Sequence, residues 1–320
     1  AGAELGGLMV DPGRQIVSQL IFLGLTAVTV AAGVRRGLER VLGWLTPTLF
    51  VLLLVLLVYA FVAGDVAAGA RFLFVPDFSA VDRGTVLLAV GQAFFSLGIG
   101  IGVLMTIGAY MDSKTSILRA SLVVAAADAG VALLAGLAVF PIVFANDLSP
   151  AEGPGLIFAT LPVAFGQMPG GGVLGAFFFV LMAVAALTSA ITILETIVSV
   201  VEDYSELSRP MATLVLTVIL WVAGLGTVYS FGSLADFHPL EFVPGFAERN
   251  IFESLDYLVS NWMMPGGGVL LALLAGWGLS KQATLDELGV EDGTLYRIWR
   301  FLVRFVVPVA IAAVFYVNVR

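Results

Sequence analysis

Apolar residues in this chain neither alternate with polar ones nor recur once per helical turn; they run together. Nearly continuous apolar stretches cover residues 13–33, 44–64, 85–111, 117–145, 173–201, 210–231, 251–276 and 300–318, and each approaches the roughly 20 residues that carry a helix across a bilayer. Within lipid every backbone amide and carbonyl must be satisfied inside its own segment, which a helix does and an open strand does not. The pattern therefore predicts an all-α integral membrane protein with eight spans, forming a single transmembrane domain over residues 1–320. Punctuation falls between the spans, at Arg35-Arg36-Gly37, Val75-Pro76-Asp77, Asp112-Ser113-Lys114, Ser149-Pro150, Ser208-Arg209-Pro210 and Gly289. The 146–172 connection is long and holds a short apolar piece, Leu156 to Phe165, between Pro154 and Pro169. That piece is too short to span and is expected to form a re-entrant or capping lid.

Orientation follows from the basic residues. Arg35, Arg36, Arg40, Lys114, Arg119, Arg209, Lys281, Arg297, Arg300 and Arg304 fall on one side, and Arg14, Arg71, Arg83, Arg249 and Arg320 on the other. The richer side is predicted to be cytoplasmic. Both Ala1 and Arg320 are then extracellular, as is the 146–172 lid, in a multi-pass protein of the cell membrane.

The third stretch breaks its own helical logic. Gly98, Gly100 and Gly102 alternate in mid-span, and each costs about 1 kcal/mol of helix propensity. The run predicts an unwound backbone, which at membrane depth has to line a cavity or touch protein; close helix packing through small residues is the alternative. A dinucleotide loop is excluded, because no βαβ unit surrounds the glycines.

Two acids lie inside spans, Asp128 and Glu195. An intramembrane carboxylate is costly unless paired, solvated or protonated, and so is a candidate for function. Glu195 could equally reach a vestibule or cap a loop. On its span Ala185, Thr188, Ser189 and Ile193 share one helical face. Two hydroxyls and a carbonyl there are hard oxygen ligands suited to an alkali cation, although Thr and Ser in membrane helices also serve packing.

Composition narrows the classes. Of 320 residues 60% are hydrophobic and 12% charged, too little polar surface for a water-soluble globule. There is no cysteine and a single histidine, His238, which removes disulfides, thiolate metal sites and histidine metal clusters. The net charge of −8 argues against nucleic acid as a partner.

The residues resemble a known family. Gly91-Gln92-Ala93-Phe94-Phe95-Ser96-Leu97 is similar to the broken sixth helix of the neurotransmitter:sodium symporters, and Ala185-Ala186-Leu187-Thr188-Ser189-Ala190-Ile191 to their eighth. Phe74-Val75-Pro76-Asp77-Phe78, Leu134 to Pro141 and Gly276-Trp277-Gly278-Leu279-Ser280-Lys281 extend the likeness along nearly the whole chain. The resemblance implies a LeuT-like inverted-repeat bundle, of which helices four to eleven are present, with the broken helix at 85–111. Helices one to three are expected to lie upstream of Ala1.

It also implies roles. Ser96 and Asp128 resemble ligands of a sodium ion that touches the substrate carboxylate; the Ala185 carbonyl with Thr188 and Ser189 resembles part of a second sodium site. Phe95, Ser96, Gly98, Ile101, Ser189 and Ile193 fall where the family binds its substrate, with Phe95 as an aromatic lid. Gln92 and Asp256 resemble outer-gate residues. Gly37 and Pro47 reproduce a spacing that lets the fifth helix unwind in some members. Chloride-dependent members place neutral residues where Asp128 and Ala132 stand, so chloride independence is expected. The implied activity is sodium-coupled symport of an apolar or aromatic amino acid, with two Na+ and no organic cofactor, in a protein that is not an enzyme. A non-transporting amino-acid sensor of the same fold, or an intramembrane aspartyl protease using Asp128 and Glu195, are the competing readings.

Overall fold

The computed structural model describes residues 7, 11–79, 81–112, 115–150 and 155–319; the basic Lys114 and Arg320 used for orientation, and Pro154 of the lid, lie outside them. Seven helices are long and apolar enough to cross a membrane: α1 Pro12–Ala31, α2 Val34–Ala63, α6 Ile117–Ala145, α8 Gly171–Tyr204, α9 Arg209–Ser230, α10 Ile251–Gly278 and α12 Thr294–Tyr316. Between them stand α3 Val66–Phe74, α4 Arg83–Ser96, α5 Val103–Ala109, α7 Leu156–Gln167 and α11 Lys281–Leu288. The eighth predicted span is the pair α4 and α5, with the break between them. The chain divides into two compact units, 1–76 with 130–235 and 77–129 with 236–320.

In the first unit α8 is the axis. Leu53, Leu56 and Ala60 of α2, Ile142 and Val143 of α6, Leu161 and Phe165 of α7, and Phe178 and Leu181 of α8 form one buried cluster. A second cluster, Val30, Leu38, Ile191, Leu194, Val198 and Ala212, joins α1, α2, α8 and α9. The 146–172 connection contributes α7, which begins with a π-turn at Leu156–Thr160 and docks on α8 through Phe165 against Phe178, rings 5.7 Å apart. Tyr59 of α2 donates to the Pro169 carbonyl at 3.0 Å and anchors its far end.

One expectation about α2 needs correction. The predicted span begins at 44 and treats Arg35-Arg36-Gly37 as a turn, yet those residues are helical, in a π-segment Val34–Leu38. In this structure the helix is wound from Val34 through Ala63, with Pro47 inside it. Gly37 serves a close approach, since a Cβ there would lie 1.9 Å from the Thr29 carbonyl oxygen.

In the second unit α4 is opened by Asp82, whose carboxylate accepts from the Thr85 amide at 2.7 Å, and it stops at Ser96. Gly98, Gly100 and Gly102 then all take positive φ, +62°, +115° and +86°, a region that side chains rarely adopt. The break is also a packing device. A Cβ on Gly100 would lie 2.2 Å from the Met264 carbonyl oxygen of α10, and one on Gly267 would lie 2.2 Å from the Gly100 carbonyl oxygen. Glycine on both segments lets two backbones touch, so the two readings of the Gly-x-Gly run, unwinding and close packing, are both realised.

Candidate functional site

Ser96 is the last helical residue of α4, so its side chain emerges where the backbone leaves the helix. Its hydroxyl donates to Asp128 Oδ1 at 2.7 Å; Asp128 lies in the middle of α6 and is half-buried. No lysine or arginine stands within ion-pair distance of Asp128 among the described residues. A half-buried carboxylate with a neutral partner and, among the described residues, no counter-charge favours a bound cation. Because the Ser96 hydrogen points at the carboxylate, the lone pairs of Oγ face outward. Sodium takes hard oxygen donors, and a carboxylate, a hydroxyl and unwound carbonyls supply that chemistry.

The same stretch carries the predicted substrate residues of this unit. Phe95 is 57% exposed and Ile101 37%, and no atom lies within 4 Å of where a Cβ on Gly98 would sit. Gln92, one turn before Ser96, lines a cavity of about 210 Å³ with Gly91, Phe95, Ser260 and Asn261. Asp256 is exposed on α10 and accepts from Ser260 at 3.4 Å, which places both predicted gate residues in this unit.

The other predicted cation ligands belong to the first unit, on α8. Thr188 Oγ1 and Ser189 Oγ both donate to the Ala185 carbonyl, at 2.8 and 3.1 Å. In a low-dielectric surround a hydroxyl turns its hydrogen onto its own helix, and this leaves the oxygen lone pairs of both side chains free for a ligand. The ladder continues as Thr192 donates to Ser189 O at 2.9 Å and Thr196 to Thr192 O at 2.9 Å. Ser189 and Ile193 are exposed, on the face that the resemblance assigned to substrate.

Sequence reasoning missed the partner of Glu195. This side chain is 1% exposed and forms an ion pair with Arg209. Arg209 also bonds Glu202 at 3.1 Å and donates through Nε to the Val30 carbonyl at 3.0 Å, so one guanidinium ties α8 and α9 to the end of α1. The available signal was the i, i+7 placement of Glu195 and Glu202 on one helical face. With its carboxylate committed to a cation, Glu195 is not a partner for proton sharing of the aspartyl-protease kind.

Residues 9–240 match the sodium:neurotransmitter symporter family. An uncharacterized sodium-dependent transporter of Bacillus subtilis, YhdH, is 34% identical over 98% of this chain and 69% of its own length. One from Haemophilus influenzae is 28% identical over 96% of this chain and 66% of its own length. The crystal structure of MhsT in complex with L-phenylalanine superposes with a TM-score of 0.86 at 36% identity, covering all of this chain and 71% of that one. The chain thus spans about two thirds of the length of these relatives, and the Bacillus subtilis and Haemophilus influenzae proteins are described as sodium-dependent transporters, a family that is not one of enzymes. It is an all-α, multi-pass membrane protein of LeuT-like fold, and it belongs to the sodium:neurotransmitter symporter family.

Proposed function

We propose that this chain forms the larger part of a symporter in which sodium, moving down its gradient, drives an apolar or aromatic amino acid across the cell membrane by alternating access. The observation that carries the reading is the Ser96–Asp128 contact beside the break at Gly98. It joins a carboxylate with no counter-charge among the described residues to a segment of unwound backbone, the arrangement a sodium ion and a substrate carboxylate need side by side. Thr188, Ser189 and the Ala185 carbonyl supply oxygens for a second sodium. Phe95, Gly98 and Ile101 offer apolar surface and space for a side chain, and the likeness to a structure that holds L-phenylalanine supports an aromatic or large apolar substrate. Gln92 and Asp256 act as the outer gate, and α7 as the extracellular lid, with Ala1 and Arg320 outside.

Asp128 further accounts for chloride independence. A fixed carboxylate near the cation supplies the negative charge that a bound chloride supplies where the protein is neutral. Each elementary charge that crosses the membrane with sodium adds about 2.3 kcal/mol per 100 mV, which together with the sodium gradient drives uphill transport.

The test is uptake of labelled phenylalanine, leucine, alanine and glutamate by the complete protein in proteoliposomes, with sodium or potassium outside and with chloride or gluconate. Uptake of phenylalanine or leucine that needs sodium and ignores the anion is the expected result. Sodium-dependent binding without accumulation would favour the sensor reading, and a strict chloride requirement would remove the role given to the Asp128 charge.

A further inference from the structure

A pocket of about 460 Å³ lies in the second unit between α11 and the start of α12, where α10 ends and α12 begins and hence at the edge of the bilayer. We infer that it binds the phosphate of an anionic phospholipid, whose acyl chain runs along Phe301 and Phe305.

The charges of the pocket do not cancel. Lys281 is paired with Asp292, and the hydrogen bond from Lys281 holds the Asp292 carboxyl below the usual carboxylate range, with Arg297 adding a smaller pull. Arg297, Arg300 and Arg304 remain. They stand at i, i+3 and i+7 and so share one face of α12. Arg297 is exposed, and its side chain makes no hydrogen bond or ion pair with a described residue. Arg300 donates to Thr284 Oγ1 at 3.1 Å, to the Leu279 carbonyl at 3.3 Å and to the Tyr296 hydroxyl. Arg304 donates to the Gly276 carbonyl and lies 4.9 Å over the Trp277 ring. Every one of these partners is neutral. Asp286, Glu287 and Glu291 are exposed on α11 and the turn after it, and none forms an ion pair with the three arginines among the described residues.

The backbone is shaped to hold these groups in place. Both helices turn π-helical where they meet, at Leu274–Gly278 and Leu302–Val306, a local winding often found at functional sites. Gly276 makes room for the arginine: a Cβ there would lie 2.9 Å from Arg304 Cγ. Two guanidinium groups are thus fixed before any ligand arrives, and guanidinium is the side chain best matched to phosphate.

The apolar half of the pocket decides between a lipid and a free phosphate. Phe301 is 58% exposed, Phe305 47% and Trp277 56%, and Phe305 packs on both others with ring centroids 5.4 and 5.6 Å apart. A stripe of exposed aromatics directly beside the arginine row fits an acyl chain below its headgroup. Aromatic and basic residues at this depth suit the membrane interface, and basic pockets between helices there are sites for anionic headgroups. A free phosphate would leave that stripe unused.

The experiment is native mass spectrometry of the complete protein with phosphatidylglycerol or phosphatidylcholine, with thermal unfolding in the same lipids and in inorganic phosphate. The wild type is expected to retain phosphatidylglycerol in preference to phosphatidylcholine and to gain thermal stability from it, with inorganic phosphate giving little. Arg300→Gln with Arg304→Gln is expected to weaken retention by about tenfold or more. Should that double variant unfold, Arg297→Gln, which breaks no internal contact, is expected to weaken retention about fivefold. Equal retention of the two lipids, or undiminished retention by a folded variant, overturns the assignment. Inorganic phosphate stabilising as well as phosphatidylglycerol would overturn it in favour of a free-anion site.

Discussion

Asp128 and Glu195 both lie deep within membrane-spanning helices of this protein, and they have been given opposite surroundings. Glu195 is fully buried in α8, an unbroken helix of 34 residues, and is matched by the guanidinium of Arg209. Asp128 is half-buried in α6, faces the end of a broken helix and is given a serine hydroxyl. The first charge is already neutralised and fastens helices together; the second is left for a cation to neutralise. An intramembrane acid is therefore not a functional residue by itself, and the charge of its partner decides.

Glu195→Gln is the strongest way to break the comparison. It removes the buried charge paired with Arg209, itself only 15% exposed, and losing one member of a buried pair costs about 3 kcal/mol or more. A clear fall in the thermal midpoint of the purified protein is expected, partly recovered when Arg209→Gln is added. An unchanged midpoint would mean that the pair holds nothing together.

The broken backbone is the next largest lever. Gly100→Ala meets both a positive φ and a carbonyl 2.2 Å from the new carbon, and backbone strain alone is worth about 1–3 kcal/mol. Gly98→Ala meets a positive φ but open space, for which about 1–2 kcal/mol is expected. Gly100→Ala should destabilise more than Gly98→Ala in the same unfolding assay. The reverse order would place the close approach at the wrong glycine.

These glycines show what the sequence could and could not disclose. Alternating glycines in mid-span announce a break because the cost is local to each residue, so Gly98 to Gly102 could be read directly. The apolar runs likewise fix where helices cross, because bilayer thickness sets their length. By contrast, the helical state of Arg35 to Gly37 was hidden. Its cause is the fit of Gly37 against Thr29, a contact between two elements with no local signature. Pairing of Glu195 with Arg209 was hidden for the same reason, since 14 residues and a turn separate them. The π-segments in α10 and α12 also left no pattern in the apolar runs, as a continuous apolar stretch reads alike in either winding.

Asp128→Asn sharpens the comparison from the other side. It removes the charge and keeps the size, and because no cation among the described residues pairs with Asp128 the thermal midpoint should change little. In transport the sodium concentration for half-maximal uptake should rise about tenfold, equivalent to about 1.4 kcal/mol. Thr188→Ala, which removes one neutral oxygen from α8, should raise it less. A large stability loss with unaltered sodium dependence would make Asp128 a structural acid like Glu195.

The smallest effect concerns a third carboxylate, Asp82, whose charge serves neither a cation nor a neighbouring helix but the amide end of α4. The Thr85 amide, and after it the Thr85 hydroxyl, hold the Asp82 carboxyl below its ordinary value of 3.8, more than enough to offset the opposing effect of burial. A carboxyl with a lowered folded-state pKa stabilises at pH above the ordinary value, and that contribution is lost as pH falls through the lowered one. Asp82→Ala should therefore give a slightly lower thermal midpoint than the wild type near neutral pH, and the two should converge as the pH falls below 3.8. Asp82→Asn still caps the helix through its side-chain oxygen and should sit close to the wild type without that pH dependence. A gap between wild type and Asp82→Ala that persists unchanged into acid would show that the cap works as a neutral hydrogen bond, and that of the three acids only Asp128 and Glu195 matter for their charge.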